Sequence, residues 1–313
     1  VKHQFGFLLL AAFFSVNFSF SCADDSWEKE GYSAVEPFGP HLEIKRFEQA
    51  ALFTRKRELE ERYAASDSVK YLHALSVVLM RLGDPLSARN ILLAEWKEEV
   101  PDACLANNLG MAYDLAGNYD SALFWINVAI RTDPALYSGR KWVQSLVLKY
   151  RIAKEKSPGY TAGSSAIGLD FGAKDLPENM YALDLIMLKE DLGAYISERL
   201  SFSEFPDTLT GMLLFDYGNI IAMNDGIGEA LFYYKKAKES GFESYILDAR
   251  LLRAEELSAG EGAAKKAVDF EAKEIKTEKT VNVYLLAGLI AVLAALSVYF
   301  YIRSRKRRPD PFR

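Results

Sequence analysis

Apolar residues along this chain recur mostly at three- and four-residue steps, the spacing of one face of an α-helix. The pattern is clearest from Ala103 to Pro134. Leu105, Leu109, Ala112 and Tyr113 form one stripe, Ala122, Ile126, Ala129 and Ile130 a second, and Ala-Gly-Asn-Tyr lies between them. Gly110, Ala122 and Ala129 are small enough to let two helices approach closely, and Pro134 stops the second helix. One period upstream, from Val69 to Asp102, Leu72, Leu75, Leu79, Gly83, Ala88 and Leu92 keep the same phase. There Ser76 replaces the small glycine and Glu95 the second-helix alanine.

Downstream, Gly139 to Lys156 reads as one apolar-faced helix carrying Trp142, Val143, Leu146 and Tyr150. Leu213 to Phe242 is a further copy of the pattern, with Gly218, Ile221, Ala230, Tyr234 and Ala237 in phase, and Tyr245 to Leu257 reads as the next helix. Met180 to Leu200 is predicted helical, with Leu183, Leu185, Ile186, Leu188, Leu192 and Ile196 inward, and Glu43 to Ala64 is predicted to form a charged capping helix. Ser157 to Asn179 is rich in Gly, Ser and Pro and cannot be a long helix, so it is expected to connect the two helical blocks.

Leu109-Gly110, Tyr113, Gly117, Tyr119, Ala122, Ala129 and Pro134 fall at the offsets of the ~34-residue tetratricopeptide repeat, and this part of the chain resembles that family. The order of parts, with a WVQ segment, a GLDFG segment and then LLFDYGNIIAMN, resembles bacterial membrane-anchored proteins of the same kind. The resemblance implies an all-α helix-turn-helix solenoid, since one repeat cannot bury its own faces. It also implies a concave surface, lined by the first helix of each pair, that takes a peptide or a segment of a partner protein. By register, His73, Ser76 and Met80 fall on that surface in the first pair, and Asn107, Asn108 and Asp114 in the next. Asn108 matches an asparagine with which carboxylate-clamp repeats hold a partner's C-terminus. The clamp's lysine and asparagine positions in the first copy hold His73 and Val77, which argues against that mechanism.

Two longer apolar runs add a topology. Residues 1–23 carry Lys2 and His3, an apolar stretch from Phe5 to Phe20, and Ser21-Cys22-Ala23, the plan of a secretory signal peptide cleaved after Ala23. Lipidation at Cys22 is the rival reading, and Ser19-Phe20-Ser21 departs from the lipoprotein pattern. Val283 to Ile302 is an uncharged apolar run long enough to cross a ~30 Å hydrocarbon core as a single C-terminal transmembrane helix. Tyr284 at one edge and Tyr299, Phe300 and Tyr301 at the other resemble aromatic belts, and Arg303, Arg305, Lys306, Arg307 and Arg308 follow. The positive-inside rule then puts the C-terminus in the cytoplasm and the repeats outside, in the periplasm, with the anchor in the inner membrane. Ala287, Ala291 and Ala295 form a small-residue stripe that permits a homodimer through this helix.

The resulting plan is a signal peptide (1–23), an N-terminal segment with a capping helix (24–68), repeats (69–156) and a connector (157–179). A second helical region (180–258), a charged stalk (259–282), a membrane helix (283–302) and a basic tail (303–313) complete it.

Charge agrees with that division. Six basic and one acidic side chain occupy the last eleven residues, so the rest of the chain is more acidic than the net charge of −5 suggests. Such a domain has little attraction for nucleic acid. After cleavage Cys104 is expected to remain as a lone, buried thiol.

Candidate chemistry is sparse. His41 and His73 have no partner at helical metal-ligand spacing, so no metal or cofactor is expected. Gly163 to Gly168 has the wrong glycine spacing for a nucleophile elbow, and Gly260-Glu261-Gly262 with Lys265 is too short for a phosphate loop. Of the numerous carboxylates, such as Asp184, Glu190, Asp191 and Glu198, most read as solvated helix faces. The expectation is a non-catalytic, membrane-anchored scaffold for a protein partner. The alternative is an envelope enzyme with its site at the 157–179 connector.

Overall fold

The computed structural model describes residues 33–157, 165–202 and 207–259. Contacts divide the chain into two units, Val1–Ala254 and Glu255–Arg313. Of the second, residues 255–259 are described and are helical. The signal peptide, the stalk from 260 on, the apolar run 283–302 with Val283 and Ile302, and the basic tail lie outside the described residues. Among the described residues no helix is long and apolar enough to cross a membrane.

The first unit is mostly helical. Its helices are α1 (Gln49–Ser66), α2 (Val69–Arg81), α3 (Pro85–Glu95), α4 (Ala103–Leu115), α5 (Tyr119–Thr132), α6 (Trp142–Lys156), α7 (Leu185–Phe202), α8 (Thr208–Asn224), α9 (Ile227–Glu239) and α10 (residues 245–254). The α2–α3 and α4–α5 turns are built alike. Gly83 and Gly117, one ~34-residue period apart, both adopt the left-handed conformation, with φ of 80° and 78°. The next residue caps the following helix: Asp84 accepts from Ser87 N, and Asn118 from Ser121 N. These side chains satisfy backbone donors that the first turn of a helix leaves open.

Consecutive pairs share their apolar stripes. Leu72, Leu92, Leu105 and Leu109 join α2, α3 and α4 in one cluster, and Ala122, Ile126 and Leu148 join α5 to α6. Gly110 marks the tightest approach in the α4–α5 pair, because a Cβ there would lie 2.6 Å from Ile126 Cδ1.

Three features differ from the sequence expectation. The all-α reading meets an antiparallel hairpin of β1 (Ser33–Phe38) and β2 (Leu42–Phe47), registered Val35 to Lys45 and Pro37 to Glu43. Leu42 and Ile44 are buried while Glu43 and Lys45 are exposed, a two-residue alternation that favours a strand, so α1 begins only at Gln49. Next, α7 begins at Leu185, and Ile186 is 64% exposed rather than inward. The seam of α7 instead follows Leu188, Leu192, Ile196 and Leu200, and Ile186 falls off it. Finally, Cys104 is half-buried and disulfide-bonded, not a lone thiol. The chain's other cysteine, Cys22, lies outside the described residues.

The connector is not helical where it is described, and buried polar groups hold it. Ser165 Oγ donates to Asp216 Oδ2 of α8 at 2.8 Å and accepts from Leu169 N at 3.0 Å. Arg250 of α10 is 1% exposed and donates to the carbonyls of Phe171 and Gly172 at 2.7 Å and of Lys174 at 3.2 Å. The hairpin reaches the far end of the unit. His41 N donates to Tyr233 Oη of α9 at 2.9 Å, and Phe38 packs edge-on against Phe232. Strand β2 packs along α7, which also touches α2, α6 and α8.

Candidate binding cleft

Because α7 lies between β2, α6 and α8 while facing α2 and α4, a cleft of about 330 Å³ remains between it and these inner helices. Val77 and Arg81 of α2, Asn108 and Met111 of α4, and Tyr195, Glu198 and Phe202 of α7 line it. Glu43 and Lys45 of β2, and the turn Leu136–Gly139 with the start of α6, complete the wall. In that turn Tyr137 and Ser138 both have positive φ, 52° and 58°. This conformation costs a non-glycine residue about 1–2 kcal/mol. It is held by burial of Leu136 against Ala106 and Ala129, with Tyr137 packed on the same cluster.

Charges at this end of the cleft are paired. Lys141 Nζ lies 3.1 Å from Glu198 Oε2, 3.3 Å from Gln144 Oε1 and 4.3 Å from the Tyr137 ring centroid. Arg140 Nε lies 3.4 Å from Asp191 Oδ1, and Asp191 Oδ2 accepts from Trp142 Nε1 at 2.8 Å. Burial pushes the Tyr195 phenol well above its ordinary value, so it stays protonated and polar but neutral.

The opposite end, along α7 towards Phe202, is different. The Arg81 guanidinium packs against the rings of Phe47 and Phe202, 3.9 and 4.2 Å from their centroids. Burial lowers its pKa to about 10, against the pull of Glu198, and the group remains a cation at neutral pH. Nη1 donates to Ser201 O at 3.2 Å, while Nε is buried without an acceptor. Among the described residues no carboxylate comes within ion-pairing distance of Arg81.

The six groove residues named from the sequence are all buried, with Asn107 and Ser76 fully so. Four of them form one network behind the cleft wall. Ser76 Oγ donates to His73 O at 2.7 Å, Asn108 Nδ2 donates to Ser76 Oγ at 3.2 Å, and Asn107 Nδ2 donates to Asn108 Oδ1 at 3.1 Å. Asn108 also lines the cleft. Met80 belongs to the apolar core with Leu79 and Ala112, and Asp114 accepts a hydrogen bond from Arg151, whose Nη2 donates to Tyr119 Oη at 2.8 Å. Arg81, Tyr137, Ser138, Arg140, Lys141, Tyr195 and Glu198 were not singled out as binding residues from the sequence. Tyr195 and Glu198 are one helical turn apart, which the sequence does show, but only the tertiary fold tells which element that face meets.

The ligand atoms of His73, Asp102 and Cys104 lie within 4.8 Å of one another, although helical spacing in the sequence gave His73 no such partners. His73 Nε2 is 3.6 Å from Asp102 Oδ2, and burial lowers the histidine's pKa against the pull of that carboxylate, keeping it neutral. Asp102 also caps α4 through Leu105 N, and the bridged Cys104 offers no thiolate, so the cluster is not a metal-binding set in this state. The described part of the connector contributes nothing to the cleft.

Compared with known proteins, the chain matches no family model, no curated protein and no solved structure.

Proposed function

We propose that this protein is a tetratricopeptide-type scaffold that holds a segment of a partner protein in the cleft between α2, α4 and α7, without catalysing a reaction. The repeats lie on the periplasmic side of the inner membrane, tethered by the apolar run 283–302. The observation that carries the reading is the cleft itself, which is bounded by the first helices of two consecutive pairs and mixes apolar walls with paired charges. A binding surface needs this combination: apolar area supplies affinity and a few fixed polar groups set orientation. The buried network of Ser76, Asn107 and Asn108 fixes α2 against α4 and so fixes the width of the cleft.

The test uses the full chain in its own membrane, with a photoreactive residue at exposed Ser138 on the cleft wall. Asn108, only 1% exposed, is a poor reporter, whereas Phe124 on α5 is 57% exposed, does not line the cleft and serves as the control. The expected result is one envelope protein captured from Ser138 and not from Phe124. Capture of none from Ser138, or equal capture from both positions, overturns the reading.

A further inference from the structure

We infer that the Arg81 end of the cleft is a site for a small organic carboxylate with an apolar body, a ligand distinct from the protein segment proposed above. Arg140 and Lys141, the cations at the other end, each have a carboxylate of this chain within 3.4 Å. Among the described residues Arg81 has none, although it is half-buried, lines the same cleft and keeps its charge at neutral pH. A partly desolvated cation without a counterion close by is unfavourable.

The surroundings of Arg81 narrow the ligand. The Phe47 and Phe202 rings both pack against the guanidinium, and Nη1 is occupied by Ser201 O. What remains open is Nη2, which has no hydrogen-bond partner among the described residues and, unlike Nε, is not buried, so a carboxylate can meet it with a charge-assisted hydrogen bond. Val77, Met111, Ala194 and Phe202 supply apolar lining to the same cleft, so the rest of the ligand is apolar. The whole cleft, about 330 Å³, is at the small end of ligand pockets, so its Arg81 end admits only a short aliphatic or aromatic acid. Arg81 also ties β2 and the end of α7 to α2, so the experiment must separate this structural role from binding.

The experiment is a titration of the full chain in lipid nanodiscs with hexanoate and 3-phenylpropanoate, followed by ligand-observed NMR, with hexanamide as the neutral analogue. Both acids are expected to bind saturably, and hexanamide at least roughly tenfold more weakly, a ratio worth ~1.4 kcal/mol. Arg81→Gln should weaken both acids by a similar factor, and Arg81→Lys should restore part of the loss. Ala194→Leu, which fills the cleft without touching the charge, should abolish binding while the far-UV circular dichroism and melting temperature stay near those of the unaltered chain. It decides the matter if Arg81→Gln fails to fold. No saturable binding of either acid, equal binding of hexanamide, or binding unchanged in Ala194→Leu overturns the inference. Retained crosslinking from Ser138 in that event rejects the carboxylate site alone and leaves the scaffold reading standing.

Discussion

The α4–α5 pair and the non-helical stretch at residues 165–184, which contains the described part of the connector, are held in place by opposite means. In the pair, Leu109 and Ile126 are fully buried and the backbones meet at Gly110, so apolar contact and close packing do most of the work. In the connector, Phe171 and Ile167 supply some apolar burial, but the backbone is fixed by Arg250 on three carbonyls and by Ser165 on Asp216. Apolar packing is spread over many contacts and insensitive to pH. Polar anchoring depends on a few groups whose loss leaves buried partners unpaired. The first kind of region should therefore fail together with the whole unit, and the second should fail locally.

The largest effect is expected in the pair. Leu109→Ala opens a cavity among Leu72, Leu92 and Leu105 and should destabilise the unit by about 2–5 kcal/mol in chemical denaturation, equally at acid and neutral pH. A loss confined to part of the molecule would contradict the cooperative packing of α2 to α5.

Arg250→Met comes next. It removes charge-assisted hydrogen bonds to the connector, each kind being worth about 1.5–3 kcal/mol, together with the guanidinium's contact with the Phe215 ring, and keeps an apolar side chain in its place. The loss should appear as earlier opening of residues 165–184 to limited proteolysis, with α4 and α5 still protected.

The smallest effect has the opposite sign. Burial pushes the Asp216 carboxyl well above the usual range, against the hydrogen bonds from Ser165 and Ala166 and the nearby Arg250 charge. Below about pH 4 both folded and unfolded forms hold the proton, and nothing is lost. As pH rises from there the unfolded chain releases it while the folded one retains it, so stability falls until the folded pKa is passed. Asp216→Asn cannot ionise, and it should raise stability at neutral pH and flatten that decline. Urea midpoints measured from pH 4 to 8 check this, and a decline as steep as that of the unaltered chain would refute it.

Legibility in the sequence follows the same divide. The α4–α5 pair could be read directly, because Gly117-Asn118 and the stripes on either side encode a turn and two faces within one short stretch. The hairpin was missed because Leu42 to Phe47 also suits a charged helix, and only its packing on α7 and α9 selects the strand. Asn108, named from its register, lines the cleft, yet its amide is occupied by Ser76 and the His73 carbonyl. Arg81, Lys141 and Glu198 could not be grouped from the sequence, since they come from α2, the start of α6 and α7 and meet only in the tertiary fold. The anchors Asp216 and Arg250 read as ordinary polar positions because their partners lie in a loop with no periodicity.

Amide hydrogen exchange on the Arg250→Met chain tests the division between the two regions most directly. The predicted result is exchange roughly tenfold or more faster across residues 165–180, as expected for a loss of ~1.4 kcal/mol in local opening, with residues 103–132 unchanged. Exchange that rises equally in both regions, or in neither, would contradict it.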